Sequence, residues 1–516
     1  MTTIQMSDRS VSAFRITFTL ILCAALVFYG YHSIHWQVIW DPSIMHYINF
    51  LMAHGLAPYR DIIDINLPGS YFMDGWAMSI FGGSDLSWRI YEFCLLGVMI
   101  GAMIVIALPY DWFAGFSAGA LFAYVHATEG ARSAGQREEL MTVLILLGYA
   151  CLFQALRRRL PSLTLPFGVF LGLATSLKPT AALLVVLLPA MAIYSLRKEG
   201  LRARAFLGYT LAGFAAALLL DVQFFWRYHA FHDFLVASGR LVTYYANIGS
   251  APLPVLLETL VNRRAFPLLI IGSMLTFVNL ARSKRASLER NLLLVGVVFG
   301  AVSYLAQRKN FEHHLYTYFA LMLLWACTEV AIAWKSSGWR RVLGTACFAL
   351  IIFPVVAKHT YLMRDIPTLE RPQELLTNDF NRLGGPQALQ HEVLCFDVVQ
   401  SCYSTLYHMQ ILPYSNLVAD YMLFPPVGYA PVTYYREELW KQLQQRKPRV
   451  VVVTNFWLCS PPSFDKLKQW PAIVTFLDTN YDIVSAVETG GDAYRVYVRK
   501  AGIDPGPQLV SQAGGL

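Results

Sequence analysis

Apolar runs long enough to cross a lipid bilayer recur through the first two thirds of the sequence, separated by short clusters of charged residues. A helix needs about 20 apolar residues to cross the hydrocarbon core, and in lipid its backbone polar groups must pair internally. Each run is therefore predicted to form a helix. We count eleven runs, at approximately 16–36, 88–108, 113–128, 139–156, 163–178, 180–196, 205–226, 266–281, 291–306, 315–334 and 341–357.

The composition also indicates a polytopic α-helical membrane protein. Only 14% of the 516 residues are charged, and the mean hydropathy is +0.44. Soluble proteins carry about 25% charged residues. The formal net charge of +8 comes mostly from short basic loops, which orient membrane proteins, so it does not indicate a nucleic-acid partner.

Basic residues are concentrated in every second connection, and this gives a predicted orientation. Segments dense in Lys and Arg include those around Arg157, Arg202 and Arg285. By the positive-inside rule, these segments and the N-terminus are cytoplasmic. The odd number of spans then puts the chain after residue 358 outside. The loops predicted to face outside are 37–87, 129–138, 227–265 and 307–314.

The composition changes after His359, where charged residues, prolines and glutamines become frequent. Buried strands are predicted at 393–397 and 450–454, with a helix at 436–446 between them and further strands near 482–487 and 494–499. Alternating strands and helices indicate a small α/β domain with a parallel sheet. The predicted division is a transmembrane catalytic domain at 1–357, an extracytoplasmic α/β domain at 358–500 and a disordered tail at 501–516.

Three of the eight cysteines lie in this outer part of the chain: Cys395, Cys402 and Cys459. An oxidising compartment would allow one disulfide among them. The sequence leaves open which pair forms it.

The first outer loop begins with signals for a short helix. Asp41 is a good N-cap, Pro42 fits the first helical position, and Gly55 is a good stop. An apolar face of Ile44, Ile48 and Leu51 predicts a helix lying flat on the membrane surface. A polar loop at 57–69 follows it.

Carboxylates cluster beside an arginine in this loop: Asp61 and Asp64 flank a short segment next to Arg60, with Asp41 upstream. Glycosyl transfer from a lipid-linked sugar needs a carboxylate that takes a proton from the acceptor hydroxyl. It also needs cations that stabilise the departing phosphate. The alternatives are that Asp41 only caps a helix and that the loop is merely solvated.

The order of these features resembles the GT-C superfamily of polyprenyl-phosphate-sugar-dependent glycosyltransferases, specifically the bacterial relatives of protein O-mannosyltransferases and the aminoarabinose lipid A transferase. The resemblance rests on Asp41, the flat helix and Pro58-Tyr59-Arg60-Asp61, and continues at 173–179 and 307–316. It departs at Pro42, where many members have a second acid.

This resemblance implies a GT-C-like fold in a bacterial inner (cytoplasmic) membrane. It also implies a polyprenyl-phosphate-linked sugar donor, contact with membrane lipids, and an acceptor that is a glycan, a lipid or a protein. Asp41 would be the general base, with Asp61 or Asp64 in reserve. Residues expected to hold the donor phosphate are Arg60, Lys178, Arg308 and Lys309, although Lys178 could instead extend its amine to the lipid headgroups.

Other outer residues offer further candidates. The second outer loop could add a second acid, from Glu129, Glu138 or Glu139, and it also carries Arg132 and Arg137. No cofactor is required by the motifs, but His126 and Glu129, together with His313 and His314, offer ligands for a divalent metal. Aromatic residues at 231–250 predict either a surface helix packed on lipid or a platform for the acceptor or sugar.

The alternative function is a transporter or flippase for a lipid-linked sugar. Transporters usually show internal repeats and ionisable groups at mid-membrane. No repeat is evident here, and the acids lie in outer loops, which favours chemistry at the surface. A ligase for whole glycans and a noncatalytic anchor for the C-terminal part are further alternatives.

Overall fold

The computed structural model describes residues 8–196, 202–262, 264–280, 284–336, 338–356, 366–487 and 492–506. The helices before residue 357 are α1 Asp8–Ser33, α2 Asp41–Ala53, α3 Pro68–Phe81, α4 Asp85–Ala107, α5 Trp112–Glu129, α6 Arg137–Arg158, α7 Thr164–Leu177, α8 Ala182–Leu196, α9 Ala203–Tyr228, α10 Phe231–Asn247, α11 Leu253–Leu260, α12 Ala265–Asn279, α13 Lys284–Gln307, α14 Tyr316–Trp334 and α15 Trp339–Val356.

Within the described ranges, six helices are long and apolar enough to cross a membrane, namely α1, α4, α6, α9, α13 and α14. Shorter apolar helices correspond to α7, α8 and α12. Each of the eleven predicted spans coincides with a helix, including α5 and α15, but eleven crossings remain a prediction.

The most buried helix of the bundle is α14, which is surrounded by the other helices along its whole length. Small residues allow the closest approaches between helices. A side chain at Gly168 of α7 would come within 2.0 Å of the Thr210 carbonyl of α9, and one at Gly213 of α9 would come equally close to the Leu165 carbonyl. Backbones that pack this tightly through glycine are typical of helices in lipid.

The helix predicted to lie on the membrane surface is covered instead by protein. Ile44, Ile48 and Leu51 of α2 are all buried, in a core shared with residues beyond 366. The hydroxyl of Tyr47 donates to the carbonyl of Ile411 at 3.0 Å. The prediction was wrong because an apolar helical face indicates burial without indicating what buries it.

The C-terminal segment, residues 366–506 as far as described, contains a four-stranded sheet of order β1-β2-β4-β3. Its strands are β1 Val393–Phe396, β2 Val450–Thr454, β3 Tyr481–Val487 and β4 Tyr494–Arg499. Its helices are α16 Ile366–Arg382, α17 Gly385–Leu389, α18 Ser401–His408, α19 Thr433–Gln445 and α20 Pro471–Asn480.

The sheet is mixed rather than parallel. Strands β1 and β2 pair in parallel, whereas β4 is antiparallel to both β2 and β3. The predicted strand positions are confirmed to within a residue. The direction was wrong for β4 alone, which runs opposite to the other three strands. The connection from Val487 to Tyr494 is too short for a crossover helix, and strands joined by so short a connection pair antiparallel.

Cysteine pairing is resolved in favour of Cys395 and Cys402, whose Cα atoms are 6.1 Å apart, while Cys459 is free. The segment predicted to be disordered is described only to residue 506. There the Pro505 carbonyl accepts a hydrogen bond from the backbone N–H of Lys447 at 2.8 Å. Residues 507–516 lie outside the described part of the chain.

The C-terminal segment packs on one end of the helix bundle, which we call the capped end. The backbone N–H of Ile63 donates to the carbonyl of Asn416 at 2.8 Å, and the hydroxyl of Tyr407 donates to the carbonyl of Gly83 at 2.8 Å. The four loops predicted to face outside meet at this end, through contacts of Arg137 with Asn66, of Glu138 with His314 and of Lys309 with Tyr245.

Candidate active site

Asp41 is the first residue of α2, and its carboxylate does not cap the helix. The N-cap position belongs to Trp40, and no side chain caps this end of α2. Trp40 has φ +62° and ψ −142°, a sparsely populated backbone conformation that costs about 1–3 kcal/mol. Its ring packs against Phe456 of the C-terminal segment and under the guanidinium of Arg132. The capping interpretation of Asp41 is therefore wrong.

The nearest cation to Asp41 is Arg137, at the start of α6. Its Nη2 atom lies 3.7 Å from Oδ2 of Asp41, and its Nη1 atom donates a hydrogen bond to Oδ1 of Asn66. The amide of Asn66 in turn donates to Asp64 at 2.6 Å. Arg137 thus links the first helix of the site to the polar loop at 57–69.

Glu138, the next residue, contacts a different group of side chains. The ammonium of Lys178 donates both to Oε1 of Glu138 and to the side-chain carbonyl of Gln307. Nε2 of His314 lies 3.3 Å from the same carboxylate oxygen, and Nε2 of His313 lies 4.0 Å from it. Three segments that are distant in sequence therefore converge on Glu138.

Glu138, His313 and His314 are also a possible set of metal ligands, since their donor atoms lie within 4.8 Å of one another. One carboxylate and two imidazoles suit a divalent transition metal. Oε2 of Glu138 and Nδ1 of His314 are buried with no hydrogen-bond partner in the described part of the chain. The ammonium of Lys178 supplies a positive charge at Oε1.

His126 and Glu129 do not join this group, so the prediction that they combine with His313 and His314 was wrong. Nε2 of His126 lies 2.5 Å from Glu92, and Nδ1 lies 2.7 Å from the hydroxyl of Tyr316. Glu129 forms an ion pair with Arg264 instead. The spacing His126–Glu129 places both on one helix, but the helix turns them towards other neighbours.

A buried ionic cluster lies next to the site. It contains Glu92, His126 and Glu139, whose donor atoms also lie within 4.8 Å of one another. Arg89 forms an ion pair with Glu92 in the same cluster. All four side chains are nearly inaccessible, and the pairing of Arg89 with Glu92 offsets part of the cost of burying those two charges.

The two reserve carboxylates are bound by their own loop. Asp61 accepts a hydrogen bond from the backbone N–H of Ala57 at 2.9 Å and pairs with Arg60 at 3.0 Å. Asp64 accepts from the hydroxyl of Tyr71 at 2.9 Å and from Asn66. Both carboxylates therefore accept close hydrogen bonds from neighbouring groups, whereas the contact of Asp41 with Arg137 is longer, at 3.7 Å.

The basic pair at 308–309 divides between surface and core. Lys309 is buried, and its ammonium donates to the carbonyls of Tyr245 and Ile248 at the end of α10. Burial lowers the pKa of Lys309. Arg308 is exposed, with φ +54°. Lys309 therefore serves to hold the C-terminal end of α10, where it satisfies the last carbonyl groups of the helix.

A cleft beside Asp41 contains an acid that sequence analysis missed. It is lined by Asp41, Asp74, Trp88, Gln136 and Arg137 among others. Asp74 accepts one hydrogen bond, from Asn49 at 3.0 Å, and burial raises its pKa to about 8. The sequence does not single out Asp74, because the apolar residues of α3 lack a helical period that would distinguish this helix from the loops around it.

The fold of this chain is similar to that of solved structures. ArnT from Cupriavidus metallidurans bound to undecaprenyl phosphate matches with a TM-score of 0.57 and 12% identity, over 95% of this chain and 99% of that chain. This chain has the fold of ArnT. The archaeal oligosaccharyltransferase AglB from Archaeoglobus fulgidus, in complex with an inhibitory peptide and a dolichol-phosphate, matches with a TM-score of 0.52 and 10% identity, over 84% and 69%.

Both solved structures belong to the GT-C superfamily, so the GT-C-like fold expected from the sequence is confirmed. No protein-family model and no curated protein matches the sequence. At this level of identity, the likeness concerns the fold. The roles of individual residues therefore have to be argued from the geometry of this chain.

Proposed function

We propose that this protein is a membrane glycosyltransferase that moves a sugar from a polyprenyl-phosphate donor to an acceptor hydroxyl. The observation that carries the proposal is the position of Asp41. Asp41 is the first residue of α2 at the capped end, and its carboxylate does not act as a helix cap. The carboxylate lies 3.7 Å from Arg137, in a chain that has the fold of ArnT. The reaction takes place on the outer face of the cytoplasmic membrane of a bacterium, with the N-terminus inside.

The reaction is a single displacement. The acceptor oxygen attacks the anomeric carbon of the sugar while Asp41 takes the proton of the acceptor hydroxyl. The bond between the anomeric carbon and the phosphate oxygen breaks, and polyprenyl phosphate leaves. Attack from the face opposite the leaving group inverts the configuration at the anomeric carbon.

Cations close to Asp41 stabilise the charge that develops on the departing phosphate. Arg137 and Lys178 are the two nearest the centre, because they contact the neighbouring acids Asp41 and Glu138. Both side chains are largely withdrawn from solvent, where electrostatic stabilisation is strongest. Arg60 and Arg308, which are more exposed, would meet the phosphate only at the rim.

The test uses the full-length protein in lipid nanodiscs, mixed with polyprenyl-phosphate sugars and a membrane extract. Release of polyprenyl phosphate that depends on the extract is the expected result. Asp41→Asn should reduce the rate by about 100-fold or more, the usual contribution of a general base. Asp61→Asn and Asp64→Asn are the matched variants. If only one of them lowers the rate of polyprenyl phosphate release, that residue is the general base instead of Asp41.

A flippase would give a different outcome. It would move the sugar lipid across the bilayer without releasing polyprenyl phosphate. Asp41→Asn would then have no proton-transfer step to impair. Movement without release, over the range of donors tried, would overturn the proposal. The same assay identifies the acceptor class by fractionating the extract into lipid, glycan and protein.

A further inference from the structure

A second groove lies at the capped end, away from the cleft beside Asp41. It encloses about 260 Å³ between the loop at 57–69, helix α10 and helix α19, close to the lower end of ligand pockets, at about 300 Å³. Its lining includes Arg60, Asp233, Arg240, Tyr434 and Glu438.

The charges along this groove are balanced. Its charged side chains are two arginines, Arg60 and Arg240, and two acids, Asp233 and Glu438. Asn416 and Gln442 add amide groups that can both donate and accept hydrogen bonds. A strongly anionic or cationic ligand would leave one sign of charge unmatched, whereas hydroxyl groups can satisfy both.

An aromatic ring completes the groove. The guanidinium of Arg240 lies 3.7 Å from the centre of the Tyr434 ring, which fixes the orientation of both planar groups. Tyr434 keeps 43% of its surface exposed. A tyrosine offers an apolar face together with a hydroxyl, and this combination suits a pyranose, which has apolar C–H faces and a polar edge.

Helix α10 indicates where the groove lies. On one side it exposes Phe231, Leu235 and Val242, spaced four and seven residues apart on one face. On the other side it presents Asp233 and Arg240 to the groove. A helix with one exposed apolar face and one polar face lies along the membrane surface. The groove is therefore at headgroup level, within reach of a membrane-anchored molecule.

We propose that this groove binds the carbohydrate part of the acceptor, a neutral or zwitterionic glycan, while its hydroxyl is presented to Asp41. The inference rests on the proposed function, since only a transferase needs an acceptor. The loop at 57–69 connects the two places. Tyr59, Arg60 and Ile63 line the groove, and Asn66 contacts Arg137 beside Asp41.

The test is saturation-transfer NMR on the full-length protein in nanodiscs, with a panel of disaccharides of neutral hexoses and N-acetylhexosamines as probes. Wild type should bind at least one probe. Arg240→Gln and Glu438→Gln should each weaken binding about tenfold, the effect of one lost charge-assisted hydrogen bond. Glu437→Gln, at the exposed neighbouring position of α19, is the matched control and should bind like wild type.

The proposal is overturned if no disaccharide binds, if inorganic phosphate displaces the bound disaccharide, or if Arg240→Gln binds as tightly as wild type. The proposed function is tested separately, by release of polyprenyl phosphate from the donor when wild-type protein is mixed with the membrane extract. Release of polyprenyl phosphate without disaccharide binding supports the transferase and contradicts the role of the groove as an acceptor site. Disaccharide binding by a protein that turns over no donor overturns the acceptor role together with the transferase.

Discussion

Nη2 of Arg137 lies 3.7 Å from Oδ2 of Asp41, too far for a strong hydrogen bond and close enough for attraction between the charges. The guanidinium is also held by Asn66, so its position does not depend on Asp41 alone. A pair in this arrangement can separate without collapse of the loop. In the proposed reaction, this arrangement would let Asp41 take a proton while Arg137 turns towards the phosphate.

Arg137→Gln is expected to lower kcat/KM for the donor by about 100-fold, because a donor to the developing phosphate charge is lost. Arg137→Lys should retain part of the activity, since it keeps the charge and loses the planar geometry. Initial rates of polyprenyl phosphate release measure both. Arg132→Gln is the control, because Arg132 lies over the Trp40 ring with 45% of its side chain exposed. Equal losses at 132 and 137 would contradict the assignment.

Lys178→Met should destabilise the protein and abolish activity. It leaves Glu138 buried with its charge unpaired by an ammonium, which costs about 3–5 kcal/mol. Lys178→Met combined with Glu138→Gln removes both charges, so thermal stability should largely return while activity stays absent. Unfolding temperature and donor turnover are measured on the same preparations. An active double variant would mean that Lys178 serves only to neutralise Glu138.

Asp74 should make stability depend on pH. Burial raises its pKa to about 8, so between about pH 4 and pH 8 the folded protein holds a proton that the unfolded chain releases. The contribution of Asp74 to the free energy of unfolding is therefore highest below pH 4, and it falls as the pH rises towards 8. Asp74→Asn should flatten the dependence and raise the unfolding temperature at pH 8.

Thermal unfolding followed by tryptophan fluorescence from pH 5 to pH 9 measures the effect of Asp74. Asp465→Asn is the control, because the side chain of Asp465 is exposed and forms a surface ion pair with Lys468. Parallel curves for wild type and Asp74→Asn would show that Asp74 is ionised in the folded protein.

Loss of the disulfide between Cys395 and Cys402 should destabilise the C-terminal segment by about 2–3 kcal/mol, the effect expected for a short loop. The double substitution of both cysteines by serine, or a reducing agent, should lower the unfolding temperature of wild type. Cys459→Ser should have no such effect and should remain sensitive to reductant. If reduction leaves wild type unchanged, the bond does not constrain the fold.

Much of the fold follows from local patterns in the sequence. Apolar length predicts the helices, and runs of valine such as that at 450–453 predict the strands. The distribution of basic residues between alternate loops also predicts that Asp41, Lys178 and His314 lie at one end of the molecule. These features depend on residues close together in the sequence, so local patterns are enough to predict them.

What the sequence did not predict depends on contacts between distant segments. Arg137 and Glu138 are adjacent, and nothing local indicates that one faces Asp41 and the other Lys178. Lys309 has the charge of a phosphate ligand, but the carbonyls at the end of α10 occupy its ammonium. Likewise, Asp74 differs from a surface acid only because α3 is packed into the capped end.

The hydrogen bond from Tyr47 to Ile411 joins residues 364 positions apart. During synthesis, Asp41 is among the first residues to leave the ribosome and Ile411 among the later ones. Helix α2 therefore stays without its cover until the C-terminal segment has been synthesised and has folded over it. If the proposed transferase is correct, activity would be acquired only at the end of biogenesis, and a chain stopped near residue 357 is expected to be inactive.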